Sequence, residues 1–339
     1  MVRFVACAFA FVMTVVPVWA DPALARLNER VVTNHVMPLV EEFESAASGL
    51  EQAATANCAP DSPELIAAFY KTFDAWTRMS HLRFGPTEAE DRAFAIAFWP
   101  DGRGKTHKAL GALLTGGDLA VFEPEAFRNA SIAARGLYAL EFLLYDAQVR
   151  QMGTEAARCR LVRAIATDTA QNAGGIARDW AEYGDLLVRP SAQGVYRSDA
   201  EATQELYKAL LTGLQFTADT RLGRPLGTFE RPRPKRAELH RSERSLRQIE
   251  MSLQGTRLLA MELAAETPAI TARLDALYAA AFGVVAELDD PALAGVADVQ
   301  GRLRVEILQI AINEIREILA MELGPALGVA AGFNALDGD

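Results

Sequence analysis

Two tyrosines and a glutamate recur at helical spacing within residues 132–145, whose sequence is IAARGLYALEFLLY. Tyr138, Glu141 and Tyr145 are three and then four residues apart, so a helix places all three on one face. The only charged residues of this stretch are Arg135 and Glu141, and a helix that is apolar on every side is a buried helix. A buried carboxylate needs hydrogen-bond donors or a cation, or it stays protonated.

Two hypotheses account for this polar face. Phenolate and carboxylate oxygens suit ferric iron, so Tyr138 and Glu141 are candidate metal ligands. In the structural alternative, Glu141 is satisfied by a tyrosine hydroxyl or an arginine, because buried acids are usually just paired. Spacing alone favours the structural alternative.

Residues with catalytic potential elsewhere in the chain do not form a known pattern. The four histidines are scattered, and none lies three or four residues from another: they are His35, His81, His107 and His240. The sequence contains no Ser/His/Asp order, no glycine-rich phosphate loop and no HExxH motif. It therefore carries no enzyme signal of its own.

A basic cluster stands out in a chain whose formal net charge is −10. The excess of acid argues against nucleic acid and anionic membrane as partners. The cluster comprises Arg231, Arg233, Lys235, Arg236, Arg241, Arg244 and Arg247. It either binds an anion or is a solvent-exposed part of a loop and a helix end.

The N-terminus has the pattern of a cleavable signal peptide, residues 1–20. Arg3 precedes an apolar run, and the segment ends at Ala20 in a small-residue cleavage site. Export to the periplasm follows, with a mature chain that begins at Asp21. No later segment is uncharged over the ~20 residues that a membrane-spanning helix needs, so we expect no transmembrane segment in the mature chain.

The two remaining cysteines are expected to form a disulfide. Cys58 and Cys159 are an isolated pair in an oxidising compartment, where bridged cysteines are more common than free thiols. No Cys/His spacing indicates zinc.

Helical periodicity dominates the rest of the chain and predicts an all-α fold. A mature chain of this length exceeds the ~250 to 300 residues at which one core stops growing. We therefore expect two helical-bundle domains, at 21–190 and 191–339, with a proline-containing linker at 223–234. Loops and short helices are predicted for 83–130, and helices for 24–55, 62–82, 131–147, 154–187, 198–221, 235–264, 268–287 and 298–322.

Four motifs together resemble the imelysin family, which is also catalogued as a peptidase family, along most of the mature chain. They are WTRMSHLRFGP at 76–86, GLYALEFLLYD at 136–146, RSERS at 241–245 and LGVAAGFNALDGD at 327–339. The second is similar to the family's GxHxxE signature, with Gly136 and Glu141 kept and Tyr138 in place of histidine. RSERS resembles the family's RSxxS helix start.

The resemblance implies two domains related to four-helix bundles, a site in the cleft between them, and a periplasmic role linked to iron acquisition. Three functions compete. The first is a non-catalytic binding protein of the iron-uptake type, with Tyr138 and Glu141 as candidate iron ligands. The second is a metallopeptidase, which would lack the imidazole ligand at position 138. The third is a metal-free cleft for a peptide or a periplasmic protein partner. Arg83, Arg241, Ser242 and Ser245 are the expected polar companions of the site.

Overall fold

The computed structural model describes residues 21–329, so the predicted signal peptide and residues 330–339 of the C-terminal motif lie outside it. Within the described range the fold is all-α, as predicted, and strand-type pairing is limited to one isolated bridge between Thr228 and Arg231.

Ten α-helices of at least ten residues form the described part of the fold. In chain order they are α1 (Pro22–Val31), α2 (Met37–Ala56), α3 (Pro63–Met79), α4 (Lys105–Thr115), α5 (Gly136–Tyr145), α6 (Glu155–Val188), α7 (Asp199–Gln215), α8 (Ser245–Ala264), α9 (Pro268–Leu288) and α10 (Val299–Ile318). Three π-helical stretches continue α1, α7 and α10: Val32–Val36, Phe216–Leu222 and Leu319–Leu323. Short α-helices span Arg92–Ile96, Pro124–Phe127, Gly223–Leu226 and Gly324–Leu327.

Helix starts follow the local sequence. The Ser62 hydroxyl accepts a hydrogen bond from the Leu65 amide, and Pro63 occupies the first helical position of α3. Both features are favourable at an N-terminus, where amide groups lack helical partners and the proline loses nothing. The predicted start at Ser62 is confirmed. The predicted loops and short helices between residues 83 and 130 are also present.

The helices pack around a continuous hydrophobic core that extends along the described chain from Leu27 to Val329. In the N-terminal half, α2 packs against α3 and α6, and α5 packs against α6. In the C-terminal half, α9 packs against α8 and α10, while α8 also packs against α3. The division into domains at residues 190 and 191 stays a prediction.

Two predicted boundaries are wrong. The linker predicted at 223–234 begins as helix, because Gly223–Leu226 continues the π-helical stretch before it. The helix predicted from residue 235 begins only at Ser245. Leu239 and Glu243 have φ angles of 50° and 55°, which a right-handed helix cannot include.

Cys58 and Cys159 are placed as a disulfide, in agreement with the prediction. Their Cα atoms are 5.2 Å apart, and 101 positions separate them in the sequence. Cys58 follows the end of α2 and Cys159 lies in the first turns of α6. The bridge therefore joins two helices that already pack against each other.

One described helix meets the length and composition of a membrane-spanning segment, which the sequence interpretation did not single out. This helix is α9, with a mean hydropathy of 1.4 over an 18-residue window, and 22% of that window is buried. Its buried side chains include Leu274, Tyr278 and Leu288, and they pack in the core.

Candidate functional site

The glycine of the signature motif serves the backbone. Gly136 begins α5 with φ at +72°, in the left-handed region that glycine tolerates. A Cβ atom at this position would overlap the carbonyl oxygens of Ala95 and Ile96. Gly136 therefore lets α5 start directly against the short helix Arg92–Ile96, and its predicted role in binding stays a prediction.

The Tyr138 side chain crosses from α5 to the segment that precedes α8. Its hydroxyl donates a hydrogen bond to Glu238 Oε1, and Glu238 Oε2 accepts one from Arg221 Nε at 2.7 Å. The side chains of Arg221 and Glu238 are 4% and 2% exposed, so this is a buried ion pair. Burial, reinforced by the charge of Glu238, raises the pKa of Tyr138 well above its usual value. The phenol therefore keeps its proton and acts as a donor.

Glu141 lies one turn further along α5 and reaches the same segment. Its Oε1 accepts hydrogen bonds from the Ser242 amide at 3.0 Å and the Ser242 hydroxyl at 2.9 Å. Burial raises the pKa of Glu141 to about 7, although the Ser242 hydrogen bonds and the charge of Arg241 act in the opposite direction. The carboxyl group thus titrates near neutral pH.

The cationic partners proposed for Glu141 are committed elsewhere. Arg241 pairs with Asp146 at 2.9 Å, and its guanidinium lies 3.7 Å from the Phe142 ring centre. Arg83 pairs with Glu88. The structure therefore satisfies Glu141 with a serine and the backbone rather than with either arginine.

Ser245 and Tyr145 do not join this group. Ser245 begins α8, as the RSERS motif predicts, but its hydroxyl donates to the Ala292 carbonyl oxygen at 3.4 Å. The Tyr145 hydroxyl lies 2.5 Å from that of Tyr70. The structure thus brings Tyr138, Glu141, Arg241 and Ser242 together, places Arg83 in the wall of a cavity that Tyr138 also lines, and keeps Ser245 apart.

Two cavities flank Tyr138. We call the first the aromatic cavity: it has a volume of about 450 Å³, and its walls include Trp76, Phe84, Phe94, Trp99, Phe216 and Tyr138. Arg83, His81 and Arg221 add polar groups to it.

We call the second the basic cavity: it has a volume of about 480 Å³. Its lining includes three acids, Glu141, Asp101 and Asp146, and four basic residues, Arg224, Lys235, Arg236 and Arg241. Tyr138 and Trp99 line both cavities. Their rings stack with centres 6.1 Å apart and separate the two spaces.

The family model described as Imelysin, a peptidase family, matches residues 38–319. The chain belongs to the imelysin family. The iron-regulated protein A of Synechococcus elongatus is 26% identical over 315 residues, which cover 86% of this chain and 83% of that protein. The resemblance inferred from the four motifs is confirmed.

Solved structures show the same fold. An imelysin-like protein from Psychrobacter arcticum 273-4 superposes with a TM-score of 0.76 at 20% identity, covering 94% of this chain and 100% of that one. A putative iron-regulated protein A precursor from Parabacteroides distasonis gives a TM-score of 0.70 at 8% identity, with 89% and 95% covered. These likenesses establish the imelysin fold for this chain.

The oxygen-rich cluster of this imelysin-family chain does not fit a resident iron ion. Tyr138, Glu141 and Glu238 supply oxygen atoms that could act as metal ligands. Arg221, however, already provides the positive charge beside Glu238. Among residues 21–329 no group of three or more His, Cys, Asp or Glu side chains is arranged to hold a metal. Ligation of iron by Tyr138 and Glu141 stays a prediction, and it would require the Arg221 pair to open.

Sequence reasoning missed Glu238 and Arg221. Glu238 is the only acid in residues 231–242, and the same stretch contains five Lys and Arg residues. An isolated acid inside a basic run could have indicated a paired, buried carboxylate. Arg221 gave no comparable signal, because its partner lies on the next segment and not on its own helix face.

Proposed function

We propose that this imelysin-family protein is an exported, non-catalytic binding protein of an iron-responsive system. Its binding site is the aromatic cavity, and its ligand is a small organic molecule with a flat apolar part. The metallopeptidase function is the alternative that the experiments below address.

The state of Tyr138 carries this proposal. A metallopeptidase of the imelysin type would use the motif histidine as a neutral metal ligand, and this chain has a phenol there. The phenol is protonated and donates to Glu238, which is itself held by Arg221. Its proton would have to leave, and the buried ion pair would have to break, before the oxygen could bind a metal.

The aromatic cavity has the properties of a small-molecule site. Its volume falls within the ~300 to 1,000 Å³ typical of ligand pockets, and aromatic side chains with a few polar groups are the usual lining. Trp99 and Phe216 form an edge-to-face pair with centres 5.9 Å apart, and such pairs offer flat apolar surface. His81 lines the cavity and is available to orient a polar substituent, whereas Arg221 is held by Glu238.

The iron connection and the export are parts of the proposal. A relative that matches most of this chain is named iron-regulated protein A. That name supports a protein whose production responds to iron. The predicted signal peptide at 1–20 supports a periplasmic location. Release of a chain beginning at Asp21 into the periplasmic fraction, measured by mass spectrometry, would test the location.

Filling the aromatic cavity tests the binding site. We expect the apolar fluorescent probe anilinonaphthalene sulfonate to bind the wild type saturably at one site. Thr212→Trp places an indole into the cavity wall and should abolish this binding. Ala200→Trp adds the same indole at an exposed position of the same helix, α7, and should leave it intact. Equal binding by all three proteins would show that the probe does not use the cavity.

A protease assay tests the alternative. We expect no chelator-sensitive cleavage of an unfolded protein by the wild type. Tyr138→His restores the motif imidazole, and Tyr138→Phe is the control that removes the hydroxyl without offering a ligand. Cleavage by the wild type that a chelator and Glu141→Gln both abolish would establish the peptidase and end the non-catalytic proposal.

A further inference from the structure

The basic cavity contains cations that no carboxylate of the described chain neutralises. Arg224, Lys235 and Arg236 line it, and within residues 21–329 their side chains form no salt bridge and no hydrogen bond. Three other basic residues of the cluster are paired: Arg241 with Asp146, and Arg244 and Arg247 with Asp74. Arg231 and Arg233 also form no side-chain ion pair among residues 21–329, but they do not line the cavity, so the unpaired cations of the cavity itself are Arg224, Lys235 and Arg236.

The acids of the same cavity are already engaged. Asp101 accepts hydrogen bonds from the amides of Thr106 at 2.8 Å and Arg103 at 3.2 Å. Asp146 is held by Arg241, and Glu141 is held by Ser242. These hydrogen bonds leave the carboxylates charged, but the cavity is lined by four Lys and Arg side chains and only three acids, so its net charge is positive although the chain as a whole is acidic.

Arg224 is fixed in a position that needs an acceptor. Its guanidinium carbon lies 5.7 Å from the centre of the Trp99 ring, which orients the planar group. Its Nε is shielded from solvent and has no hydrogen-bond partner among residues 21–329, which is unfavourable for a donor. Burial and the nearby positive charge of Arg236 lower the pKa of Arg224. The two cations therefore repel each other at this site.

We propose that the basic cavity binds a small polycarboxylate through Arg224, Lys235 and Arg236. Guanidinium groups pair with planar carboxylates through two parallel hydrogen bonds, and an ammonium group adds a third charge. A volume of about 480 Å³ accommodates a molecule with several carboxylates, whereas one phosphate ion would leave most of it empty. This site lies across the Trp99–Tyr138 wall from the aromatic cavity and does not rest on the function proposed for that cavity.

Calorimetric titration with citrate tests the proposal, with acetate and inorganic phosphate as comparison ligands. The wild type should bind citrate with one-site stoichiometry, phosphate at least about tenfold more weakly, and acetate not measurably. Arg224→Met and Arg236→Met should each weaken citrate binding at least about tenfold. Arg231→Met removes the same charge from an exposed neighbour outside the cavity, and it should change the affinity by less than about twofold.

Further variants keep the result interpretable. Lys235 is exposed, so Lys235→Met should preserve the fold and still weaken citrate binding. Thr212→Trp, which fills the aromatic cavity, should leave citrate binding unchanged. Absence of citrate binding by the folded wild type would overturn the proposal. An equal loss in Arg231→Met would also overturn it, since general charge attraction would then explain the binding. Phosphate binding as tight as citrate binding would refute the polycarboxylate assignment.

Discussion

Replacing the two partners of the buried Arg221–Glu238 ion pair, singly and together, tests the central geometry of the site. Arg221→Met leaves the Glu238 carboxylate buried with only the Tyr138 hydroxyl as donor. Loss of one partner of a buried pair costs ~3 to 5 kcal/mol of unfolding free energy. Glu238→Leu strands the guanidinium and also deprives the Tyr138 hydroxyl of its acceptor, which adds ~1 to 3 kcal/mol. Glu238→Leu should therefore be the more harmful substitution.

The double variant separates an ion pair from two independent contacts. Arg221→Met with Glu238→Leu removes both charges, so only the unsatisfied Tyr138 hydroxyl remains, at a cost of ~1 to 3 kcal/mol. The double variant should thus be more stable than Glu238→Leu alone. Adding Tyr138→Phe should recover part of the remaining loss, because it removes the orphaned hydroxyl.

Urea unfolding at neutral pH, followed by circular dichroism with the disulfide intact, measures these free energies. The transitions of the variants must have equal denaturant slopes for the comparison to hold. The decisive quantity is the coupling energy of the double-mutant cycle, which should be large and should offset the single losses. If the double variant loses the sum of the two single losses, Arg221 and Glu238 are not coupled and the reasoning is wrong.

Three further predictions concern the bridge, the buried histidines and iron. Replacing Cys58 and Cys159 by serine should cost ~4 to 5 kcal/mol in urea unfolding, because the bridge closes a long loop; alkylation of both thiols in unreduced wild type would contradict the bridge. His35 and His81 are buried with their Nε2 atoms 2.8 Å apart, and burial lowers both pKa values, that of His81 to about 3. Both are neutral in the fold while the unfolded chain binds protons below about pH 6.5, so each should lower the unfolding free energy by up to about 1.4 kcal/mol per pH unit as the pH drops from there. Glu141, whose pKa burial raises to about 7, acts in the opposite direction and offsets one histidine in this range. The net fall should be up to about 1.4 kcal/mol per pH unit, and a flat profile between about pH 6.5 and 4.5 would refute this. Addition of ferric ion to the wild type should produce no visible phenolate charge-transfer band, because the Tyr138 hydroxyl keeps its proton. A band that is present in the wild type and absent from Tyr138→Phe would show that Tyr138 binds iron.

Local signals in the sequence were sufficient for much of the fold. The capping serine and the proline at residues 62 and 63 predicted the start of α3, which depends only on neighbouring amides. Apolar residues on all sides of 136–145 predicted the burial of α5. Boundaries were less accurate where the backbone departs from these rules, as at Leu239, because left-handed φ values at non-glycine residues are imposed by the surrounding structure.

The sequence by itself determined that the chain is helical, that Tyr138 and Glu141 share a buried face, and that the family histidine is absent. Only the tertiary structure decided what those side chains meet. Glu141 meets Ser242 and Tyr138 meets Glu238, about a hundred positions away in each case. The spacing within a helix fixes the direction of a side chain, but its partner depends on how distant segments pack. Arg221, rather than either expected arginine, neutralises the cluster because the π-helical stretch Phe216–Leu222 places it there.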